Sequence, residues 1–131
     1  MVFKSLTALA LALVPVHQSA MANGFVNNSE QWLNMTGDGR TSYVRGLNDS
    51  VNFVFVDDNL DAAIAKVGRT KCIVQLRLTP AMISDILTNA YNREDGAYNR
   101  LAPLVVYVSR LGEICRETIN NERASFNLPP Q

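Results

Sequence analysis

Apolar residues recur every three or four positions through most of this chain, and the pattern is strongest between Cys72 and Cys115. Ile83, Ile86, Leu87, Ala90 and Tyr91 share one side of a helix over Thr79–Asn92, with Ser84, Asp85, Thr88 and Asn89 on the other. Thr79-Pro80 is its start signal: the hydroxyl accepts from a first-turn N–H, and the proline sits where its missing N–H costs nothing. A longer stripe of Leu104, Val108, Leu111, Cys115 and Ile119, widened by Leu101 and Val105, predicts one continuous helix over Asn99–Asn121. Pro103 falls in its first turn, where it is tolerated. The polar segment Arg93–Tyr98 reads as the turn between the two helices.

Upstream the pattern is weaker. A short helix, Glu30–Met35, is capped by Asn28 or Ser29, and Asn28 with Gln31 fits a capping box. It turns Trp32, Leu33 and Met35 inward. Thr36-Gly37-Asp38-Gly39 ends it, with Asp38 as the next cap. A second helix over Arg40–Val56 carries Tyr43, Val44, Leu47, Val51, Val54 and Phe55 on its apolar side. Its β-branched, aromatic tail Val51–Val56 is also compatible with a strand. Gly46 inside this helix costs about 1 kcal/mol relative to alanine. The reading is that it permits close packing of a large ring, with Trp32 as the neighbour. A third short helix starts at Asp57-Asp58, runs through Leu60, Ile64 and Val67, and ends at Gly68. Arg69–Leu78 then reads as a connection, with alternation that allows a short strand. The proline-containing end, Ala124–Gln131, is expected to fray.

These elements predict a mainly α fold: a small single-domain bundle of about four to five helices with one disulfide. The expected core is Trp32, Tyr43, Gly46, Leu47, Val51, Ile83, Ile86, Leu87, Leu104, Val108 and Leu111.

The amino terminus changes the setting. Lys4, the apolar run Leu6–Val16 and Ala20-Met21-Ala22 have the layout of a cleavable export signal over residues 1–22, leaving a domain over residues 23–131. The apolar run is short for a bilayer span, with an uncleaved membrane anchor as the alternative reading, and no later segment is long and apolar enough to make a span. A periplasmic or secreted location follows. There the only two cysteines, Cys72 and Cys115, are expected to pair; the alternative is two buried free thiols. A bridge closing a loop of roughly 44 residues stabilises by about 4 kcal/mol in the chain-entropy picture. That matters in a chain of this size, which buries roughly 65% of its unfolded surface.

Charge and chemistry narrow the function by exclusion. Twelve basic and 12 acidic residues leave no basic stripe for nucleic acid and no acidic tail. The only histidine, His17, lies in the leader, so the exported chain has no Ser-His-Asp or Cys-His catalysis. No catalytic, cofactor or metal site is expected, and the chain is not read as an enzyme. Asp57-x-Asn59-x-Asp61 imitates the start of a calcium loop but has Ala62 and Gly68 where glycine and glutamate belong, so it reads as a helix start. Glu94-Asp95 reads as a solvated turn. The sequons Asn27-Asn28-Ser29, Asn34-Met35-Thr36 and Asn48-Asp49-Ser50 read as chance. Arg110, Glu113, Arg116 and Glu117 make an ion-paired outer face on the last helix, with a partner-binding face as the alternative. Tyr91, Tyr98 and Tyr107 read as core or boundary packing, with interface anchoring as the alternative.

Two sets of residues together carry a family resemblance. One is Ser29-x-x-Trp32-Leu33-x-Met35 with Arg40-x-x-Tyr43-Val44-x-Gly46. The other is Cys72, Leu78-Thr79-x-x-Met82-Ile83-x-x-Ile86, Tyr91, Ala102, Val105-Val106 and Cys115. They resemble the small periplasmic immunity proteins directed against type VI secretion amidase effectors, across most of residues 23–131. The resemblance implies a secreted helical domain, commonly a homodimer, with disulfides linking helices. It also implies a protein partner: a peptidoglycan-cleaving amidase toxin from sibling cells, which such proteins bind and block. The family's further cysteines, near the first helix and at the start of the second, are missing; Met35 and Ser42 or Tyr43 occupy that region. No toxin-contacting residue is carried over. The layout is also similar to periplasmic acid-stress chaperones, which are shorter and more charged. An uncharacterised structural or interaction domain is the third reading.

Overall fold

A computed structural model describes residues 24–131; the expected export signal over residues 1–22 and the mature start at Asn23 lie outside the described residues. The described chain is all helical. In order it forms α1 (Ser29–Leu33), α2 (Gly37–Asn52), α3 (Leu60–Gln75), α4 (Pro80–Tyr91), α5 (Pro103–Ile114) and α6 (Arg116–Ser125). No described helix is long and apolar enough to cross a membrane.

Local chemistry sets most helix starts. Asn28 caps α1 by accepting the Gln31 N–H at 2.9 Å, while the Gln31 side chain reaches back to the Asn27 N–H at 2.7 Å. Thr36, rather than Asp38, caps α2 through the Gly39 N–H. Asn59 caps α3 and Thr79 caps α4, each through the amide three residues on. α5 begins at Pro103 rather than Asn99, because a residue before proline is held extended; Ala102 has φ −66° and ψ 150°.

The main core joins α1, α2, α4 and α5. Trp32 is wholly buried among Val44, Leu47, Leu87, Tyr91, Val106 and Leu111. Its ring meets Tyr43 edge-on at 6.0 Å and lies tilted against Tyr91 at 6.1 Å. Its indole N–H donates to Thr88 Oγ1 at 3.0 Å, so the polar end of the ring is satisfied. Ile83 is buried with this group, and Tyr43, Val51 and Ile86 are half-buried at its margin.

The second packing unit is an antiparallel pair, α3 against α6. The Cys72–Cys115 disulfide closes it at one end, with Cα atoms 5.6 Å apart. Ile119 packs with the two sulfurs, and the Asp61–Arg123 ion pair lies at the other end. Gly68 sits in the middle, where a Cβ would stand 2.8 Å from the Ile119 Cα. The backbone of α6 occupies that space, so only glycine fits without a shift.

Five sequence expectations are corrected here. α3 does not stop at Gly68 but runs to Gln75, so the segment expected as a connection or strand is helix. Packing along α6 and the disulfide outweigh a mid-helix glycine penalty of about 1 kcal/mol. The helix expected over Asn99–Asn121 is broken at Cys115 (φ −97°, ψ 8°), giving six helices rather than about four to five; the bend redirects α6 onto α3. Gly46 is exposed, a Cβ there meets nothing within 4 Å, and it takes no part in the core around Trp32. Leu104 and Val108 are 48% and 39% exposed. α5 is rotated so that Pro103, Val106, Tyr107 and Leu111 point inward, because the Tyr107 ring buries more area than either aliphatic and its hydroxyl finds partners. Ser84, expected outside, is buried as well.

The carboxyl end is tied down rather than frayed. Asn127 takes a left-handed conformation (φ 58°), and the Leu128 N–H returns to the Arg123 carbonyl. Arg123 Nε donates to the Pro129 carbonyl at 2.6 Å.

Candidate protein-contact site

α2 ends at Asn52, and the next four residues, Phe53, Val54, Phe55 and Val56, are all exposed. Phe53 is 60% exposed, Phe55 51%, and Val56 entirely. Four consecutive apolar side chains in water are unfavourable, at roughly 25 cal/mol per Å² of apolar surface left uncovered. Leu60, in the first turn of α3, and Phe126, at the end of α6, extend apolar exposure at the same end of the bundle.

This exposed loop is nonetheless held at both ends. At its root, Asn52 Nδ2 donates to the Tyr107 hydroxyl at 2.8 Å and to Asn48 Oδ1 at 3.0 Å. Tyr107 donates in turn to Asn48 Oδ1 at 2.7 Å, and Arg69 Nε donates to Asn52 Oδ1 at 3.0 Å. This network fastens the last turn of α2 to α3 and α5. Burial pushes the Tyr107 phenol up and the Arg69 guanidinium down. Among the described residues Arg69 forms no ion pair with a carboxylate, although it is only 7% exposed. Its charge is answered by the Asn52 amide oxygen.

At the loop's far end Asp58 is the fastener. Its carboxylate accepts the Phe55 N–H at 2.8 Å, and its own N–H returns to the Phe55 carbonyl at 3.2 Å. Lys66, nearly two turns into α3, donates to both Asp58 oxygens at 2.7 and 2.9 Å. The Lys66 ammonium also lies 4.9 Å from the centre of the Phe55 ring, a cation–π contact. The Lys66 hydrogen bond, followed by that of the Phe55 amide, holds the Asp58 carboxyl below the usual carboxylate range. Phe53 and Phe55 stack edge-to-face at 4.9 Å. The loop therefore presents two aromatic rings on a fixed backbone, an arrangement suited to protein contact.

A shallow cleft of about 230 Å³ opens between α2 and the α3–α4 turn. Val44, Ile73, Leu78, Pro80 and Ile83 supply its apolar lining, and Arg45, Asn48 and Asp49 its polar lining. The turn beside it is a Schellman ending. Arg77 takes φ 52°, its N–H reaches the Val74 carbonyl, and the Leu78 N–H reaches the Ile73 carbonyl.

The calcium-like residues serve other ends: Asn59 caps α3 and Asp61 pairs with Arg123. Among the described residues no three metal-ligating side chains converge. Glu94 lies exposed beside an Asp95 that Arg93 engages at 2.6 Å. The Arg93 contact holds the Asp95 carboxyl low. The loop is hidden in the sequence because the β-branched, aromatic run Val51–Val56 reads as the tail of a helix or as a strand. The available signal was the run of four apolar residues, longer than one helix face accommodates, followed directly by Asp57-Asp58-Asn59.

No protein-family model, no curated protein and no solved structure matches this chain.

Proposed function

We propose that this chain is an exported, non-catalytic helical binding protein that neutralises a peptidoglycan amidase toxin by direct protein contact. The observation that carries the binding role is the Phe53–Val56 loop, whose apolar side chains are exposed while its backbone is fixed by Asn52 and Asp58. A preformed apolar surface binds tightly because little ordering entropy is lost on association. The amidase as partner rests on the resemblance carried by the Trp32, Tyr43 and Thr79 segments. The disulfide supports an oxidising, exported setting.

Survival of cells expressing a periplasmic amidase toxin, with and without this protein, tests the reading. The wild type should protect. The double variant Phe53→Ala/Phe55→Ala should not, since each interface aromatic contributes on the order of 2 kcal/mol or more. Circular dichroism should show that variant folded. An amidase that kills equally in the presence of the wild type removes it as partner.

One observation favours a second reading, an acid-stress chaperone: the exposed loop is fastened by a carboxylate that acid would protonate. Suppression of acid-induced aggregation of an unrelated protein distinguishes the two.

A further inference from the structure

The charges around the Phe53–Val56 loop are sorted by sign. Lys66 pairs with Asp58 and underlies the Phe55 ring, leaving its side chain 16% exposed. Arg123 pairs with Asp61 and its side chain is 8% exposed, whereas that of Asp61 is 63% exposed. Asp57, directly after the loop, and Asp49, in the last turn of α2, are exposed and unpaired among the described residues. The next exposed cation back along α2 is Arg45, about two turns from the loop and one turn from Asp49. At this end of the bundle the cations are sunk beneath the surface and the carboxylates stand out.

We propose that the Phe53–Val56 loop and its acidic collar dock into an apolar cleft on a partner protein whose rim carries lysine and arginine. This rests on the binding role proposed above and adds the chemistry of the partner surface. The two halves of the surface have different tasks. The aromatic pair supplies short-range affinity by losing its contact with water. Asp49, Asp57 and Asp61 steer a cationic rim toward it before contact and disfavour acidic surfaces. The same collar works against an anionic bilayer, where the loop would have to bring carboxylates close to lipid headgroup charge. A cationic rim also leaves no buried carboxylate without a counter-charge, since each acid meets its opposite at the edge, where solvent still screens the pair.

The test places the photo-cross-linker p-benzoylphenylalanine at Val56, whose side chain touches nothing that must be preserved, in the full chain expressed in its exporting cell. The expected product is one discrete protein adduct, whose cross-linked peptide pairs apolar residues with lysine or arginine. Adding Asp49→Lys and Asp57→Lys should then cut association with the purified adduct protein roughly tenfold at low salt. The difference should shrink at 0.5 M salt, while Phe55→Ala should weaken binding at both. Cross-linking to lipid, or to an acidic peptide, overturns the proposal, as does binding indifferent to both charge reversals. A partner captured from Leu104 but not from Val56 overturns the docking site while leaving the binding role intact. Protection from the amidase that fails in the wild type removes that partner while leaving the charge test decisive for whichever protein is captured.

Discussion

At the scale of single residues, Gly46 and Gly68 both lie inside helices, although the sequence reads the first as a close-packing glycine and the second as a helix end. The fold gives them opposite meanings. Gly46 faces open space, so Gly46→Ala should stabilise by about 0.5–1 kcal/mol through lower entropy in the unfolded chain. Gly68→Ala would push a methyl group into the Ile119 backbone and should cost about 1–3 kcal/mol. Denaturant melts of the two variants should move in opposite directions. Nothing local distinguishes them; the difference is set by α6, which is distant in sequence. The same holds for Asn52. It is a polar residue in the last turn of α2, and only the fold makes it the acceptor for buried Arg69 and the partner of Tyr107. Asn52→Ala should cost about 1–3 kcal/mol or more, because it leaves a buried charge without that acceptor. Arg69→Met removes the charge and keeps much of the bulk, and should cost less. If thermal melts rank the two the other way round, the account of the network is wrong.

At the scale of elements, what could be read in the sequence was whatever short-range chemistry determines. α4 was legible almost to the residue, because Thr79 and Pro80 define its start and a strong apolar stripe its inner face. Pairing of Cys72 with Cys115 was legible because the sequence has only two cysteines. The inner face of α5 was not. Its stripe is apolar nearly all round, so periodicity alone allowed Leu104 and Val108 to be chosen over Val106 and Tyr107. Tyr107 wins by the partners α2 offers its hydroxyl, which no local rule contains. The contact loop was hidden for a related reason: an apolar run reads as core until the fold leaves it uncovered. The α3–α4 turn gives an element-scale prediction. Arg77 occupies the left-handed position that glycine fills without strain. Arg77→Gly should therefore stabilise the protein by about 1 kcal/mol, the order of the penalty for a side chain in that conformation. The measured quantity is the denaturation midpoint at constant cooperativity.

At the scale of the whole molecule, the disulfide and the loop fastening respond to different conditions. The bridge pins α3 to α6 at any pH, and Cys115→Ser should lower stability by up to about 4 kcal/mol, read from denaturant unfolding without reductant. The loop fastening is acid-sensitive. Asp58 has its pKa lowered in the folded protein, first by Lys66 and then by the Phe55 amide. Its contribution is therefore fully present above the unfolded aspartate value of about 3.9 and is lost as pH falls through the lower folded value. Below that point Lys66 loses its counter-charge and the Phe55 N–H loses its anionic acceptor. The helices have no such dependence at their centre, where Trp32, Leu87 and Leu111 are apolar contacts and the bridge is covalent. As pH falls through that lowered value the expected course is thus a freed loop on a folded bundle. Amide exchange, corrected for its intrinsic pH dependence, should show protection lost at Phe55 and retained at Leu87, with helical circular dichroism unchanged. Asp58→Asn should bring the same loss at pH 7. Apolar-dye fluorescence should not rise, because the loop side chains are exposed before and after. A cooperative loss of protection at Phe55 and Leu87 together, with a surge in dye binding, would show a bundle that opens in acid, and would favour the chaperone reading over the preformed binder.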